Sequence, residues 1–143
     1  VIAFNALKSF SVVAAANKID AVLTAAVDGI PLASAIANLV SAKCIYAKRI
    51  QEIAFSGHYI SRGSSAKPLS APFYLPKSLL KRNDNVLIVD DVIRAGTTFD
   101  ALTSICSQAK ANVIGIFALF ITASAYKELK KSNKVHYLSL IEG

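Results

Sequence analysis

The apolar positions along the chain keep two different periods. Val86-Leu87-Ile88-Val89 is a run of four consecutive apolar residues, mostly β-branched, and it reads as a strand buried on both faces, as inside a parallel sheet. Asp20 to Ala26, Lys43 to Ala47, Asn112 to Thr122 and Val135 to Ile141 read as further strands. Helical spacing fills the gaps. Phe4, Leu7, Phe10 and Val13 mark a helix over Ala3 to Asn17, and Pro31 suits the first turn of a helix over Leu32 to Val40. A third amphipathic helix runs from Phe99 to Lys110, and Ser124 caps a short one through Lys131. Strands and helices alternate, and right-handed crossovers then give an α/β fold, Rossmann-like, with a parallel sheet of about five strands and helices on both faces.

One stretch breaks the rhythm. Ile50 to Lys81 alternates at Ile53-Ala54-Phe55 and at His58-Tyr59-Ile60, then passes through Arg62-Gly63-Ser64-Ser65-Ala66-Lys67-Pro68 to Ala71-Pro72-Phe73-Tyr74-Leu75-Pro76. This reads as a β-hairpin with a mobile crest, and a long loop in a compact α/β domain is usually functional or disordered. His58, alone in that hairpin, reads as a packing or surface residue and not as a catalyst.

The polar residues that matter follow the strands. After Val89 come two adjacent carboxylates, Asp90 and Asp91, then Val92-Ile93-Arg94-Ala95-Gly96-Thr97-Thr98. Adjacent side chains on a strand point to opposite faces, so both carboxylates escape the hydrophobic layers only at the carboxyl end of the strand, where open α/β sheets bind ligands. Gly96 permits a backbone conformation closed to other residues, and Thr97 and Thr98 open the helix. Helix-start N–H groups, two hydroxyls and Arg94 make an anion cradle. A second strand-glycine-helix unit stands earlier, at Val27-Asp28-Gly29-Ile30-Pro31, and the Lys43 to Ala47 strand ends in the basic pair Lys48-Arg49.

Composition narrows the partners. Sixteen Lys and Arg against nine acidic residues give a net charge of +7, which favours an anionic partner without naming it. The basic residues are scattered with few aromatics among them, and the cluster Lys127, Lys130, Lys131 and Lys134 reads as a solvated helix face, so a dedicated nucleic-acid surface is disfavoured. With 143 residues, 54% of them hydrophobic, and a mean hydropathy of +0.47, the chain suits one domain with a substantial core. No apolar run reaches the ~18 residues of a bilayer span, and Asn5 and Lys8 interrupt Val1 to Val13, so no membrane partner and a cytoplasmic location are expected. Cys44 and Cys106 are expected as free thiols, and Cys and His form no metal-ligand cluster. The chain begins at Val1 and contains no methionine, which reads as a fragment.

The run from Val86 to Thr98 resembles the phosphoribosyl diphosphate (PRPP) binding motif of the type I phosphoribosyltransferases. The resemblance extends from Phe4 to Ile141 and is strongest with purine phosphoribosyltransferase and purine-repressor-like cores, through Asp20-Ala21-Val22-Leu23-Thr24 and Gly29-Ile30-Pro31-Leu32-Ala33. It implies a catalytic Asp90-Asp91 pair holding the ribose 2- and 3-hydroxyls, and a 5-phosphate bound by Arg94, Ala95, Gly96, Thr97 and Thr98. It further implies pyrophosphate held by Val27, Asp28, Gly29, Lys48 and Arg49, and a hairpin that folds over PRPP. An ionised carboxylate is acceptor-only and suits sugar hydroxyls, whereas a phosphate needs donors and positive potential, so the physical reading agrees. Mg2+ is implied as cofactor, held mainly by PRPP with no direct side-chain ligand. The implied partners are PRPP, a purine base or nucleoside monophosphate, and a second copy in a homodimer. Residues 1–143 are then one phosphoribosyltransferase-like domain that lacks the N-terminal hood or an extra domain; DNA is a partner only if such a domain exists.

Two departures bear on function. Ala95 stands where many active enzymes have Thr before the loop glycine, which removes one hydroxyl from the cradle, and Ile121 stands where adenine-type and repressor-like relatives place a carboxylate. Two functions therefore stand side by side: transfer of ribose 5-phosphate from PRPP to a purine base, or PRPP or nucleotide sensing in a purine-repressor-like transcription regulator.

Overall fold

The computed structural model describes residues 18–143, and the helix expected over Ala3 to Asn17 lies outside them. The elements run β1 (Ala21–Ala25), α1 (Ile30–Val40), β2 (Lys43–Ala47), β3 (His58–Gly63), β4 (Pro68–Pro76), β5 (Asn85–Ile93), α2 (Thr97–Ala109), β6 (Asn112–Thr122), α3 (Ala123–Leu129) and β7 (Val135–Ile141). Five strands form one parallel sheet in the order β2-β1-β5-β6-β7, and β3 and β4 form a separate antiparallel hairpin. This is the α/β architecture that the alternation of strands and helices implies.

The lack of polar alternation in Val86 to Val89 has a direct physical reason. Val86 and Ile88 pack into the layer that contains Phe99, Leu102 and Ile105 of α2, while Leu87 and Val89 pack into the opposite layer with Ala33, Ile36 and Ala37 of α1. Both faces of the strand are therefore roofed by helices, and each fully buried Val, Leu or Ile contributes about 1.5–3 kcal/mol. Cys106 sits inside the α2 layer, where burial pushes its thiol up to about 12; Cys44 is half-buried, and both are free thiols. Among the described residues, no helix is long and apolar enough to cross a membrane.

The hairpin is docked along α2. Gln108 near the end of α2 donates from Nε2 to the Ile60 carbonyl at 2.8 Å and accepts from the Ile60 amide at 3.3 Å, so one side chain satisfies the backbone of β3 as a neighbouring strand would. Lys67 at the crest pairs with Asp100 in the first turn of α2 at 3.3 Å. Backbone bonds between Lys48 and Tyr74 tie β4 to the end of β2. His58 packs edge-on between Phe55 and Tyr74, in keeping with a packing residue.

Several expected boundaries shift for identifiable reasons. Ile53-Ala54-Phe55 lies in a turn, with β3 starting at His58, because only from there does the chain find a partner in β4. Helix α1 begins at Ile30, with Pro31 in its first turn, and α2 begins at Thr97 behind Gly96, which takes the N-cap position with φ +74°. Neither threonine of that pair caps the helix. Helix α3 is capped by Thr122, whose hydroxyl accepts from the Ala125 amide at 3.2 Å, in place of Ser124, and it ends at Leu129, before Lys131.

Candidate active site

The central geometric fact is an offset between strands. β1 pairs with β5 only from Ala21 opposite Val86 to Leu23 opposite Ile88, whereas β6 follows β5 as far as Ile93 opposite Ile121. Beyond Ile88, β5 therefore has a pairing neighbour on one side only. Asp90 and Asp91 lie on that stretch. They are not at the strand's end, since β5 continues through Ile93; what ends ahead of them is the shelter of β1.

Two cavities open beside the carboxylates. The larger, about 370 Å³, is bordered by Val27, Asp28 and Gly29 of the loop after β1, by Asp90 and Asp91, and by Arg49, Arg94 and Thr98. The smaller, about 180 Å³, is bordered by Asp90 and by the whole turn from Val92 through Arg94, Ala95, Gly96, Thr97 and Thr98. The positive φ of Gly96 swings the chain from strand to helix within this turn, and the α2 N-terminus so formed has no side-chain cap. Thr122 secures the turn from outside, donating to the Arg94 carbonyl at 2.6 Å. In the other loop, Ile30 N–H bonds Val27 O at 3.2 Å, Ala33 N–H bonds Gly29 O at 2.9 Å, and the Ala26–Val27 peptide is cis.

The carboxylates are electrostatically uncomfortable. Asp90 accepts from the Asp91 amide at 2.9 Å, and Asp91 accepts from the Val92 amide at 2.9 Å. Burial, followed by the neighbouring Asp91 and the charge of Asp28, pushes the Asp90 carboxyl up to about 7. Three acidic residues thus face one cavity in a chain that has nine and is strongly basic elsewhere. Such a floor favours a ligand that brings hydroxyl donors or a cation. Among the described residues, no group of three or more His, Cys, Asp or Glu is placed to hold a metal ion.

The basic pair divides. Arg49 borders the large cavity, its guanidinium stacked 3.9 Å over the Phe73 ring and donating to the Ala71 carbonyl. Lys48 is ion-paired with Glu52 and is absent from the large cavity; both Lys48 and Arg49 border an adjoining apolar cavity with Val27, Tyr46 and Ile50. Ile121 is fully buried in the core and borders neither of the two cavities beside the carboxylates, so a carboxylate at that position would sit in the apolar layer and not at the site. Sequence reasoning passed over two residues. Phe73, from the hairpin, closes one side of the large cavity, and Thr24 lies under Gly29 as the one polar residue in a fully buried strand. A lone hydroxyl within an apolar run is a readable signal for the second; nothing local marks the first.

Comparison with known proteins agrees with this geometry. The sequence profile of the phosphoribosyl transferase domain matches residues 1–142. A probable purine biosynthesis transcriptional regulator, PurR, of Streptococcus pneumoniae is 34% identical over 116 residues, covering 78% of this chain and 42% of that protein. A xanthine phosphoribosyltransferase of Alkaliphilus metalliredigens is 30% identical over 106 residues, covering 69% of this chain and 50% of that protein. The chain thus spans half or less of the length of these two relatives. The crystal structure of adenine phosphoribosyltransferase from Rhodothermus marinus superposes with a TM-score of 0.81 at 18% identity, over 95% of this chain and 77% of that one, a match of fold. With its parallel sheet, hairpin and paired loops, the chain belongs to the phosphoribosyl transferase domain family.

Proposed function

We propose that this domain binds PRPP with Mg2+ across its two loops and transfers the ribose 5-phosphate group to a purine base, releasing pyrophosphate. The observation that carries this reading is the Asp90-Asp91 ledge set between two helix starts, with an uncapped, Arg94-flanked turn on one side and the Val27–Gly29 loop on the other. The 5-phosphate fits the smaller cavity, where α2 amides, Arg94, Thr97 and Thr98 supply donors and positive potential. Asp90 and Asp91 accept from the ribose hydroxyls, and their negative charge lies beneath a sugar that turns cationic as the glycosidic bond breaks. Pyrophosphate leaves toward the amides of the Val27–Gly29 loop and Arg49.

A Mg2+ ion suits this floor, since crowded carboxylates seek a counter-charge while the described residues offer no cage of their own. Bound through PRPP oxygens beside Asp90 and Asp91, it would neutralise charge on the departing pyrophosphate. Positioning does most of the remaining work, and the hairpin, with Phe73 at the cavity, excludes water. The test is incubation with Mg-PRPP and adenine, guanine, hypoxanthine, xanthine, uracil or orotate while pyrophosphate release is followed; silence with every base ends the enzyme reading.

Two observations favour a second reading. Ala95 leaves the phosphate turn short of a hydroxyl, and three curated relatives at 34% identity are purine biosynthesis regulators or repressors. In that reading the domain binds PRPP as a signal and a separate segment contacts DNA. Calorimetric binding of Mg-PRPP without any pyrophosphate release selects it. In either case we propose a homodimer covering the exposed apolar residues Val27, Ile50 and Ile53. A monomeric mass by light scattering at micromolar concentration contradicts that assembly.

A further inference from the structure

Thr24 is the fourth residue of β1, and its side chain points into the layer occupied by α1, directly under the start of that helix. It is fully buried, and its hydroxyl has no hydrogen-bond partner among the described residues. A methyl group built on Gly29 would stand 2.1 Å from Thr24 Oγ1, well inside contact distance, while the next neighbours, Thr24 Cβ and the Ala25 carbonyl, lie at 3.4 and 3.5 Å. The hydroxyl oxygen therefore occupies the space that a Cβ on residue 29 needs, and little else does.

Gly29 is also the N-cap of α1, it adopts an ordinary right-handed φ of −76°, and no side chain caps the helix. Its glycine is thus required by proximity and not by backbone conformation. An unpaired buried hydroxyl is costly, and valine would fill the same pocket without a polar atom. A methyl group is wider than a hydroxyl oxygen, however, and would lift Gly29 and with it the loop from Ala26 to Gly29.

We infer that Thr24 is a positioning residue that, through its contact with Gly29, sets the height of the Val27–Gly29 loop and so aims the loop's amides at the pyrophosphate half of the ligand. This rests on the assignment of that loop to pyrophosphate. Thr24 itself touches no ligand, being sealed beneath the loop.

The experiment measures three ligands on one set of variants. Calorimetry is run with Mg-PRPP, Mg-pyrophosphate and ribose 5-phosphate on the parent, Gly29→Ala, Thr24→Ser, Thr24→Val and the double variant Thr24→Ala/Gly29→Ala, with thermal melts of each. Gly29→Ala is expected to lose at least tenfold in Mg-PRPP and Mg-pyrophosphate affinity while ribose 5-phosphate binding stays within twofold. Thr24→Ser should bind as the parent does, and Thr24→Val should fall between. The double variant should recover to within threefold of the parent, because removing Oγ1 makes room for the new methyl group. A double variant no better than Gly29→Ala overturns the inference, as does a ribose 5-phosphate loss as large as that for pyrophosphate, which would indicate general damage. If Gly29→Ala does not fold, Thr24→Val decides: parental Mg-pyrophosphate affinity refutes the role. A parent that binds none of the three ligands overturns the assignment of the loop, and this inference with it, whereas a parent that binds all three isolates the failure to Thr24.

Discussion

The two strand–loop–helix units, β1 with α1 and β5 with α2, share one topology and differ in almost everything that a ligand would feel. The turn before α2 carries Arg94 and two threonines, and it reaches its helix through the left-handed Gly96. The loop before α1 carries Asp28 and an exposed Val27, has no cation of its own, and depends on Arg49 from the next strand end. The first carries its own donors and its own positive charge. The second adds only Arg49 to its backbone amides and sets Asp28 beside them, so under the proposed function it suits an anion that arrives with its own cation. Topology therefore places a helix dipole at each loop, and in the proposed function the side chains decide whether that dipole receives a bare or a metal-bound phosphate.

The sharpest way to break this contrast is to remove the ledge that both loops share. Asp90→Asn combined with Asp91→Asn should lower Mg-PRPP affinity at least 100-fold by calorimetry, since two hydrogen bonds to charged acceptors are worth about 1.5–3 kcal/mol each and the amides oppose donors to donors. Retained affinity would detach the carboxylates from the ligand altogether. Next in size is Ala95→Thr, which restores a hydroxyl to the richer turn; ribose 5-phosphate should bind about tenfold tighter, and Mg-pyrophosphate should not change.

Asp28→Asn probes the poorer loop. Metal-free pyrophosphate should gain about fivefold, on the order of 1 kcal/mol for one partly solvated charge, with ribose 5-phosphate unaffected. Equal gains for both anions would mean that Asp28 acts on the whole cavity and that the two loops are not electrostatically separate. The smallest effect is on stability. Because the Asp90 carboxyl is raised from 3.8 to about 7, the folded protein holds a proton that the unfolded chain has released between those values, so stability falls as pH rises from about 4 to about 7. Asp90→Asn should therefore raise Tm at pH 8 by about 3 °C, the response of a domain of this size to roughly 1 kcal/mol, and leave it unchanged near pH 4. In the parent, Mg-PRPP affinity should rise across pH 7 as Asp90 ionises.

Sequence periodicity located the strands because burial on both faces leaves little room for polar residues, and β2, β6 and β7 begin and end at the residues expected. Helix caps were harder. Thr122 and Ser124 offer the same hydroxyl chemistry two residues apart, and only the bend at the end of β6 chooses between them. The residue types of the site were readable, as Asp90, Asp91, Arg94 and Gly29 all border one cavity. Its shape was not, because the offset that exposes the ledge arises between strands separated by some 60 residues. For the same reason the different partners of Lys48 and Arg49, adjacent in sequence, were hidden: Lys48 pairs with nearby Glu52, whereas Arg49 reaches Ala71 and Phe73 of the hairpin more than 20 residues away.

The alternation within β5 also divides the site by parity. Even-numbered Val86 and Ile88 belong to the α2 layer and odd-numbered Leu87 and Val89 to the α1 layer, an alternation that ends past the carboxylates, where Ile93 returns to the α2 layer. Asp90, opposite Ala118 of the α2 layer, borders both cavities, whereas Asp91 borders only the one shared with the loop before α1. Asp90 thus stands where the two cavities meet, and Asp91 faces the loop before α1 alone. A slip of one residue in β5 would exchange the two positions and drive four apolar side chains into the wrong layers. The hydrophobic core acts as the ruler that fixes where two chemically identical side chains meet the cavities.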